Sequence, residues 1–370
     1  MADTQPQPPI SPTARTSLVI VAVVVTGAAL VWLRGILTPL ALALFLTLMI
    51  DSFARLLRRR LRFPPLAALP LAILTSLVLF AAAALIVASN APGFVTELYG
   101  YAPKLNGLIG QIGSAMGVAV PPTIGQLVQQ LNAAAYIGPV ASAISNFAAA
   151  AFLVLIYLGF LLASRTGFEK KLASLYAHPG ERHRAAIVFL RIRNGVEGYL
   201  WVQTVSCGII ALGSWAVMAA VGLNNAVFWA FLIFIIGYIP IIGGTIGSIA
   251  PALFALVQFD NWWRALVLFI GLQTIGFTVG SILQPRMQGR NLNIDPVVVL
   301  LALAFWGVIW GIPGMILSTP LTVVMMAVLA QFPGTRWIAV MLSSDGDPLG
   351  AAKLAAQIKA RADARVAVNA

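Results

Sequence analysis

The chain has 370 residues, of which 60% are hydrophobic and only 9% charged, and its mean hydropathy is +0.94. Soluble domains carry about 25% charged residues, so a soluble fold is excluded and the chain reads as an integral membrane protein. Its net charge of +12 would suggest nucleic acid only if gathered on one folded face. The basic residues fall instead between apolar segments, as the positive-inside rule asks of cytoplasmic loops, and no nucleic-acid partner is expected.

Residues 1–17, "MADTQPQPPISPTARTS", are polar and Pro-rich and read as a disordered cytoplasmic N-terminus. Eight apolar segments follow: Leu18–Leu33, Ile36–Ile50, Leu66–Ala88, Ile137–Ala163, Tyr199–Val221, Ala226–Val257, Ala265–Leu283 and Val297–Gln331. The first ends at "VWLRG" without a small-residue cleavage site, so it reads as a retained span rather than a removed signal peptide. The first two are short and read as a tight pair of spans turning at "RGILTP" (Arg34–Pro39). A span needs about 20 residues, which the third, fourth, fifth and seventh segments supply.

The sixth and eighth segments do not fit. They are 32 and 35 residues long, roughly 48 and 52 Å as straight helices, too long for one span and too short for two. Each is interrupted near its middle, one by Pro240 to Gly247 and the other by "WGIPG" (Trp310–Gly314). Proline removes a backbone donor, and glycine admits angles that other residues resist. Each segment therefore reads as a re-entrant hairpin, with a kinked, tilted span as the alternative. The expected fold is all-α and polytopic, with about six full spans and two broken or re-entrant hairpins within residues 18–333.

The loops set the orientation. "RLLRRRLR" (Arg55–Arg62) holds five arginines, and residues 164–194 hold seven basic residues against two acidic. The tail, residues 334–370, holds five more basic residues, and all three regions are assigned to the cytoplasm. Residues 91–136 carry only Glu97 and Lys104, with Leu105, Leu108, Ile109, Ile112 and Met116 at helical spacing. They read as a small extracytoplasmic helical cap. The loop Gln284–Asp295 is cytoplasmic if the two segments are hairpins and external if they cross.

Chemistry-bearing motifs are few. Cys207 is the single cysteine, and His178 and His183 lie in the basic loop, so neither a disulfide nor a metal site is expected. HExxH, GxSxG, CxxC and GxxxxGK[ST] do not occur. Neither an enzyme, a cofactor nor an ATP-driven pump is therefore expected. Gly243–Gly247, Gly276–Gly280 and Gly307–Gly311 have the GxxxG spacing that lets helices approach closely in lipid. Interrupted apolar segments also leave backbone dipoles unpaired at depth, where transporters build solute sites.

These pieces carry a resemblance. "GYLWVQ", "IIGYIPIIGGTIGSIAP", "LQTIGFTVGSILQPRMQGRNLNIDPVVVLLAL" and "GIPGMILSTPLTVV", in that order, resemble the autoinducer-2 exporter family of bacterial membrane proteins, as does the N-terminal "ILTPLALALFLTLMIDSFARLLRRRL". The resemblance implies a multispanning inner-membrane transporter with cytoplasmic termini, and it allows a homo-oligomer. Members have been linked both to export of the quorum-sensing signal autoinducer-2 and to sodium/proton exchange. The family's Pro-x-x-Gly element falls on Pro240 and Gly243, its P-x-x-x-G-R element on Pro285, Gly289 and Arg290, and its G-x-x-G-M element on Gly311, Gly314 and Met315. Where many members carry an acidic residue after Gln273, this chain has Gly276.

That departure matters because cation or proton exchange needs a titratable carboxylate on the pathway, and Glu197, Asp51, Asp260 and Asp295 all sit at segment ends. Amides and hydroxyls suit a neutral polar solute better. The candidate translocation residues are Gln203, Tyr238, Pro240, Gly243, Gly244, Thr245, Gly247, Gln273, Gln284, Gly311, Pro313, Gly314 and Thr319. Ser248 and Ser281 add hydroxyls, and any of these groups could instead bond a neighbouring helix. The favoured function is export of a small polar organic solute through the lipid bilayer. One alternative is a sodium/proton-type antiporter coupled through Asp295, Asp260 or Glu197. Another is a non-transporting scaffold whose glycines only pack helices.

Overall fold

A computed structural model describes residues 12–60, 62, 64–101, part of 103–110, 149–164, 179–288 and 294–348. The described residues are helical with short turns. They form α1 (Pro12–Trp32), α2 (Arg34–Arg60), α3 (Pro65–Gly100), α4 (Ala149–Ser164) and α5 (Pro179–Val221). Then come α6 (Ala226–Ile236), α7 (Ile242–Gln258), α8 (Trp262–Thr278), a π-helical turn Val279–Leu283, α9 (Gln284–Gln288), α10 (Pro296–Leu329) and α11 (Arg336–Leu342). The chain is a polytopic, all-helical membrane protein. Its helices expose apolar side chains such as Leu18 to Val25, Phe160 and Leu212, which a water-soluble surface rarely tolerates in such numbers.

Among the described residues four helices are long and apolar enough to cross a bilayer: Arg34–Arg58, Val188–Val221, Trp262–Met287 and Pro296–Leu329. The last does not run straight. Trp306 Nε1 donates to Thr322 Oγ1 at 3.2 Å, across 16 residues, whereas a straight helix would hold those residues about 24 Å apart. The reversal is at Gly311, whose φ of 65° and ψ of −144° interrupt the helix. A Cβ at Gly314 would lie 2.0 Å from the Trp306 carbonyl oxygen, so only glycine lets the second arm pass the first. We call α10 hairpin 2.

Helices α6 and α7 form hairpin 1 on the same principle. Trp229, near the start of one arm, meets Phe254, near the end of the other, with ring centroids 5.6 Å apart. Towards the tip, Ile233 faces Gly247, and a Cβ at Gly243 would stand 2.5 Å from the Ile236 carbonyl oxygen. Gln258 closes the open end, its Oε1 accepting from Asn224 N at 2.8 Å and its Nε2 donating to Gly222 O at 2.9 Å. Arms of 11 and 17 residues reach about 16 and 25 Å, short of the ~30 Å hydrocarbon core.

The connection between the hairpins sets their relation. Hairpin 1 leads into Trp262 and hairpin 2 starts beyond Gln288, at the two ends of the α8–α9 rod, so the hairpins enter from opposite faces. The hairpin 1 face carries Trp262 and Trp263, both more than half exposed, and Arg264, whose guanidinium lies 5.1 Å from the Phe259 ring centroid, an interfacial aromatic belt. On the other face, Arg55 pairs with Glu197, while Arg193 pairs with Asp51 at 3.3 Å and with Glu197 at 3.9 Å, tying α2 to α5. There Asp295 caps α10, its Oδ1 accepting from Val297 N at 2.8 Å, with Pro296 at the first helical position. Both are preferred there because the first turn's N–H groups lack intrahelical partners.

Several boundaries shift. The expected turn at Arg34–Pro39 is helix within α2, and the break falls at Leu33. Helix α1 does not pack along α2 as a tight pair, because Leu18 to Val25 stay largely exposed; proline is tolerated at Pro39 within the first turns of α2, where few N–H bonds are lost. Helix α3 continues to Gly100, into the expected cap, and α5 begins at Pro179, inside the expected basic loop. The tail opens with α11. Residues 1–11, most of the cap (111–136) and the end of the tail (349–370) lie outside the described residues.

Candidate functional site

A cavity of about 660 Å³ lies between α5, hairpin 1 and α8, and extends to the base of hairpin 2. Small-solute sites occupy about 300–1,000 Å³. Helix α5 contributes Tyr199, Gln203, Ser206, Cys207, Ile210 and Ser214, a stripe with three- and four-residue steps that runs about 22 Å along the helix. Helix α8 contributes Leu272 and Gly276, the π-turn contributes Gly280, and α9 contributes Gln284. Among the described residues no charged side chain lines the cavity.

The tip of hairpin 1, Gly237 to Ile241, is held against α5 by polar contacts. Gln203 Nε2 donates to the Gly237 carbonyl at 2.8 Å, and Gln203 Oε1 accepts from Gln284 Nε2 at 2.9 Å. One amide thus links three elements, α5, the tip and α9. The Tyr238 hydroxyl donates to Thr204 Oγ1 at 2.8 Å, and Thr204 donates to the Leu200 carbonyl at 2.7 Å. Gly237 itself abuts Cys207, since a Cβ there would lie 2.9 Å from Sγ. Thr319 of hairpin 2 lines the cavity together with Tyr199 of α5, so the cavity wall includes both hairpins.

The tip is strained. Ile241 has φ 66° and ψ −50°, and Ile242 N donates to the Pro240 carbonyl at 2.7 Å. This is a γ-turn of the rare positive-φ kind, built on a β-branched residue that strongly resists that region. Strain of this sort costs about 1–3 kcal/mol and clusters at functional sites. Opposite the tip, the regular helix of α8 gives way to the π-turn at Val279–Leu283, another irregularity frequent at functional sites.

Of the candidate residues, the cavity gathers Gln203, Pro240, Gly243, Gly244, Gly247, Gln284 and Thr319. Tyr238 stands just behind this lining, on Thr204. Gln273 is exposed on α8, where its Oε1 lies 2.7 Å from Ser248 Oγ, and Thr245 is exposed and donates to the Ile241 carbonyl at 3.1 Å. Gly311, Pro313 and Gly314 form the tip region of hairpin 2, away from the cavity lining. Neighbouring Trp310 there donates from Nε1 to the Leu30 carbonyl at 3.2 Å.

Sequence reasoning missed Tyr199, Ser206, Ser214, Gly276 and Gly280. The two glycines read as a packing motif, yet a Cβ at either would meet nothing within 4 Å. They leave room rather than admit a neighbouring helix. The signal available was the row Leu272–Gly276–Gly280–Gln284, which puts small residues and an amide on one helix face.

The acidic candidates have structural partners elsewhere. Asp260 is bound by Lys104 Nζ at 2.8 Å, which holds its carboxyl below the ordinary value by hydrogen bonding first and charge second. Glu197 is paired with Arg55, and Asp295 is a helix cap.

Known proteins share this chain's pattern along nearly its full length, and residues 18–334 match the sequence profile of the AI-2E family transporters. The chain belongs to the AI-2E transporter family. Among its relatives is the AI-2 transport protein TqsA of Escherichia coli, 36% identical over 200 residues, which are 54% of this chain and 57% of TqsA. A Haemophilus influenzae protein named provisionally as a transport protein is 28% identical over 341 residues, 90% of this chain and 97% of that one. YrrI of Bacillus subtilis, also named provisionally as a transport protein, is 29% identical over 158 residues, 42% of this chain and 44% of that one. The match to TqsA thus spans a little over half of that relative's length. Family members are named as transport proteins, and the chain is read with them as a membrane transporter.

Proposed function

We propose that this protein is a secondary transporter that exports a small, neutral, polar organic solute of the autoinducer-2 type across the bacterial inner membrane, with both termini in the cytoplasm. The observation that carries the reading is a solute-sized cavity whose lining, among the described residues, holds amides and hydroxyls and no charge, at the tip of a hairpin that enters from one face only. A neutral polyol needs hydrogen-bond partners rather than ion pairs, and a dehydrated cavity strengthens each of them. The arginine-rich end of α2, the start of α5 and the base of hairpin 2 share one face, which supports the cytoplasmic assignment of that face.

Purified protein in lipid vesicles tests the proposal. Autoinducer-2 or a related neutral polyol is expected to cross the vesicle membrane when an ion gradient is imposed, and no movement under any ion gradient overturns it. A cation/proton antiporter would instead let alkali cations dissipate a pH gradient. That reading finds less support, because Asp260 and Glu197 are ion-paired and Asp295, which stands between the cavity-lining Ile294 and Pro296, caps α10 through Oδ1. A scaffold would have no use for glycines that face open space. For orientation, Arg286→Cys is expected to react with an impermeant thiol reagent from the cytoplasmic side alone; reaction from the periplasm would reverse the assignment.

A further inference from the structure

Ser206 stands out among the hydroxyls of these helices. Thr47, Ser76, Thr204, Thr274 and Thr322 each donate to the carbonyl four residues back, at 2.7 to 2.8 Å. That is the ordinary way to satisfy a hydroxyl inside a helix. Ser206 is 1% exposed and lines the cavity, yet its Oγ has no hydrogen-bond partner. A buried hydroxyl left unpaired is destabilising unless something else bonds it. One turn before it on the same helix stands Gln203, whose amide reaches the hairpin tip and Gln284.

From this we propose that Ser206 Oγ is a solute-binding contact. It would bond a hydroxyl of a neutral polyhydroxylated molecule lodged between α5 and the glycines Gly276 and Gly280, with the Gln203–Gln284 pair within reach of the same molecule. The proposal rests on the transport reading and adds to it the residue that selects hydroxyl-bearing cargo. Among the described residues the lining carries no charge to pair with a phosphate, so a phosphorylated sugar is expected to bind less well than its neutral counterpart. Gly276 and Gly280 supply the width for a molecule of this size, because neither position has a neighbour within 4 Å of a would-be Cβ.

Cys207, the chain's single cysteine, lines the same cavity and gives a readout that needs no transport. Methylthiolation of Cys207 in the purified full-length protein by methyl methanethiosulfonate, which forms the mixed disulfide and releases methanesulfinate, is followed with increasing ribose, and with ribose 5-phosphate as the charged control. Ribose is expected to protect Cys207 and ribose 5-phosphate is not. Ser206→Ala is expected to raise the half-protecting ribose concentration about tenfold, while its thermal stability stays equal or rises because the unpaired hydroxyl is gone. Ser76→Ala, which removes a hydroxyl satisfied by its own helix, is expected to leave protection unchanged.

The proposal fails if ribose does not protect the wild-type protein, if both sugars protect equally, or if Ser206→Ala protects like wild type. It fails equally if the reagent cannot reach Cys207, because no solute could then touch Ser206. Flux without any Ser206 effect would keep the transport reading and discard this contact. Protection without flux would do the reverse.

Discussion

Hairpin 1 turns at an isoleucine and hairpin 2 at a glycine, although both turning residues have positive φ, 66° at Ile241 and 65° at Gly311. Both hairpins also place a glycine where their arms cross most closely, Gly243 against Ile236 and Gly314 against Trp306. Their surroundings differ. Hairpin 2 is anchored by indoles, Trp306 on Thr322 across its own arms and Trp310 on α1. The tip of hairpin 1 hangs on a chain of amides and hydroxyls beside a cavity, with its strain unrelieved. A turn that uses glycine at positive φ is at rest, whereas a turn that forces isoleucine to positive φ holds free energy that a change of shape can release. On the proposed transport reading, hairpin 1 is the working tip and hairpin 2 the frame.

Closing off either crossing should have the largest effect. Gly314→Ala and Gly243→Ala are each expected to lose about 3 kcal/mol or more, since backbone rather than a flexible side chain blocks the added carbon. Gly314→Ala should be the worse, its contact being 2.0 Å against 2.5 Å. Gly244→Ala, with nothing within 4 Å, should change stability by less than about 0.5 kcal/mol. Thermal unfolding in detergent checks all three, and equal losses would mean the crossings are not close.

The tips themselves should respond with opposite signs. Gly311→Ala is expected to cost about 1–3 kcal/mol, while Ile241→Gly is expected to gain about 1 kcal/mol, the released strain exceeding the added chain entropy. Losses at both positions in unfolding measurements would make the tips equivalent.

A smaller contrast concerns the anchors. Gln203→Leu frees the Gly237 carbonyl and the Gln284 amide and should cost about 1–2 kcal/mol, with solute flux falling far more than stability. Trp310→Phe removes one bond to Leu30 and should cost about 1 kcal/mol with flux retained. Flux lost in both, or in neither, would erase the distinction.

The base of hairpin 1 offers the least effect. Lys104 donates to Asp260 and to the Phe259 carbonyl at 2.8 and 2.7 Å. The Asp260 carboxyl is held below its ordinary 3.8, so this tie is fully present at neutral pH. It weakens as pH falls through that depressed value. Being exposed, it should shift the unfolding midpoint slightly between pH 7 and pH 3, and Asp260→Asn should abolish that part of the pH dependence. The aromatic contacts of Phe94 with Phe228, Trp229 and Phe254, at 5.2 to 5.6 Å, do not titrate and should persist.

How much of this was legible before folding depends on the kind of residue. Composition alone required a bilayer, because so few charges cannot clothe a soluble surface. Segment length set against Pro240, Gly243, Gly311 and Gly314 located both reversals, because a helix has a fixed rise and proline and glycine interrupt it locally. Gln203 and Gln284 could be singled out as polar groups in apolar surroundings, but their bond to each other spans 81 residues and no spacing rule reports it. Helices that are apolar almost all round carry no periodic stripe to say which face meets which neighbour. Tertiary packing therefore decided that Gly276, Gly280 and Ser206 line one cavity, and that the second reversal lies against α1 instead of that cavity.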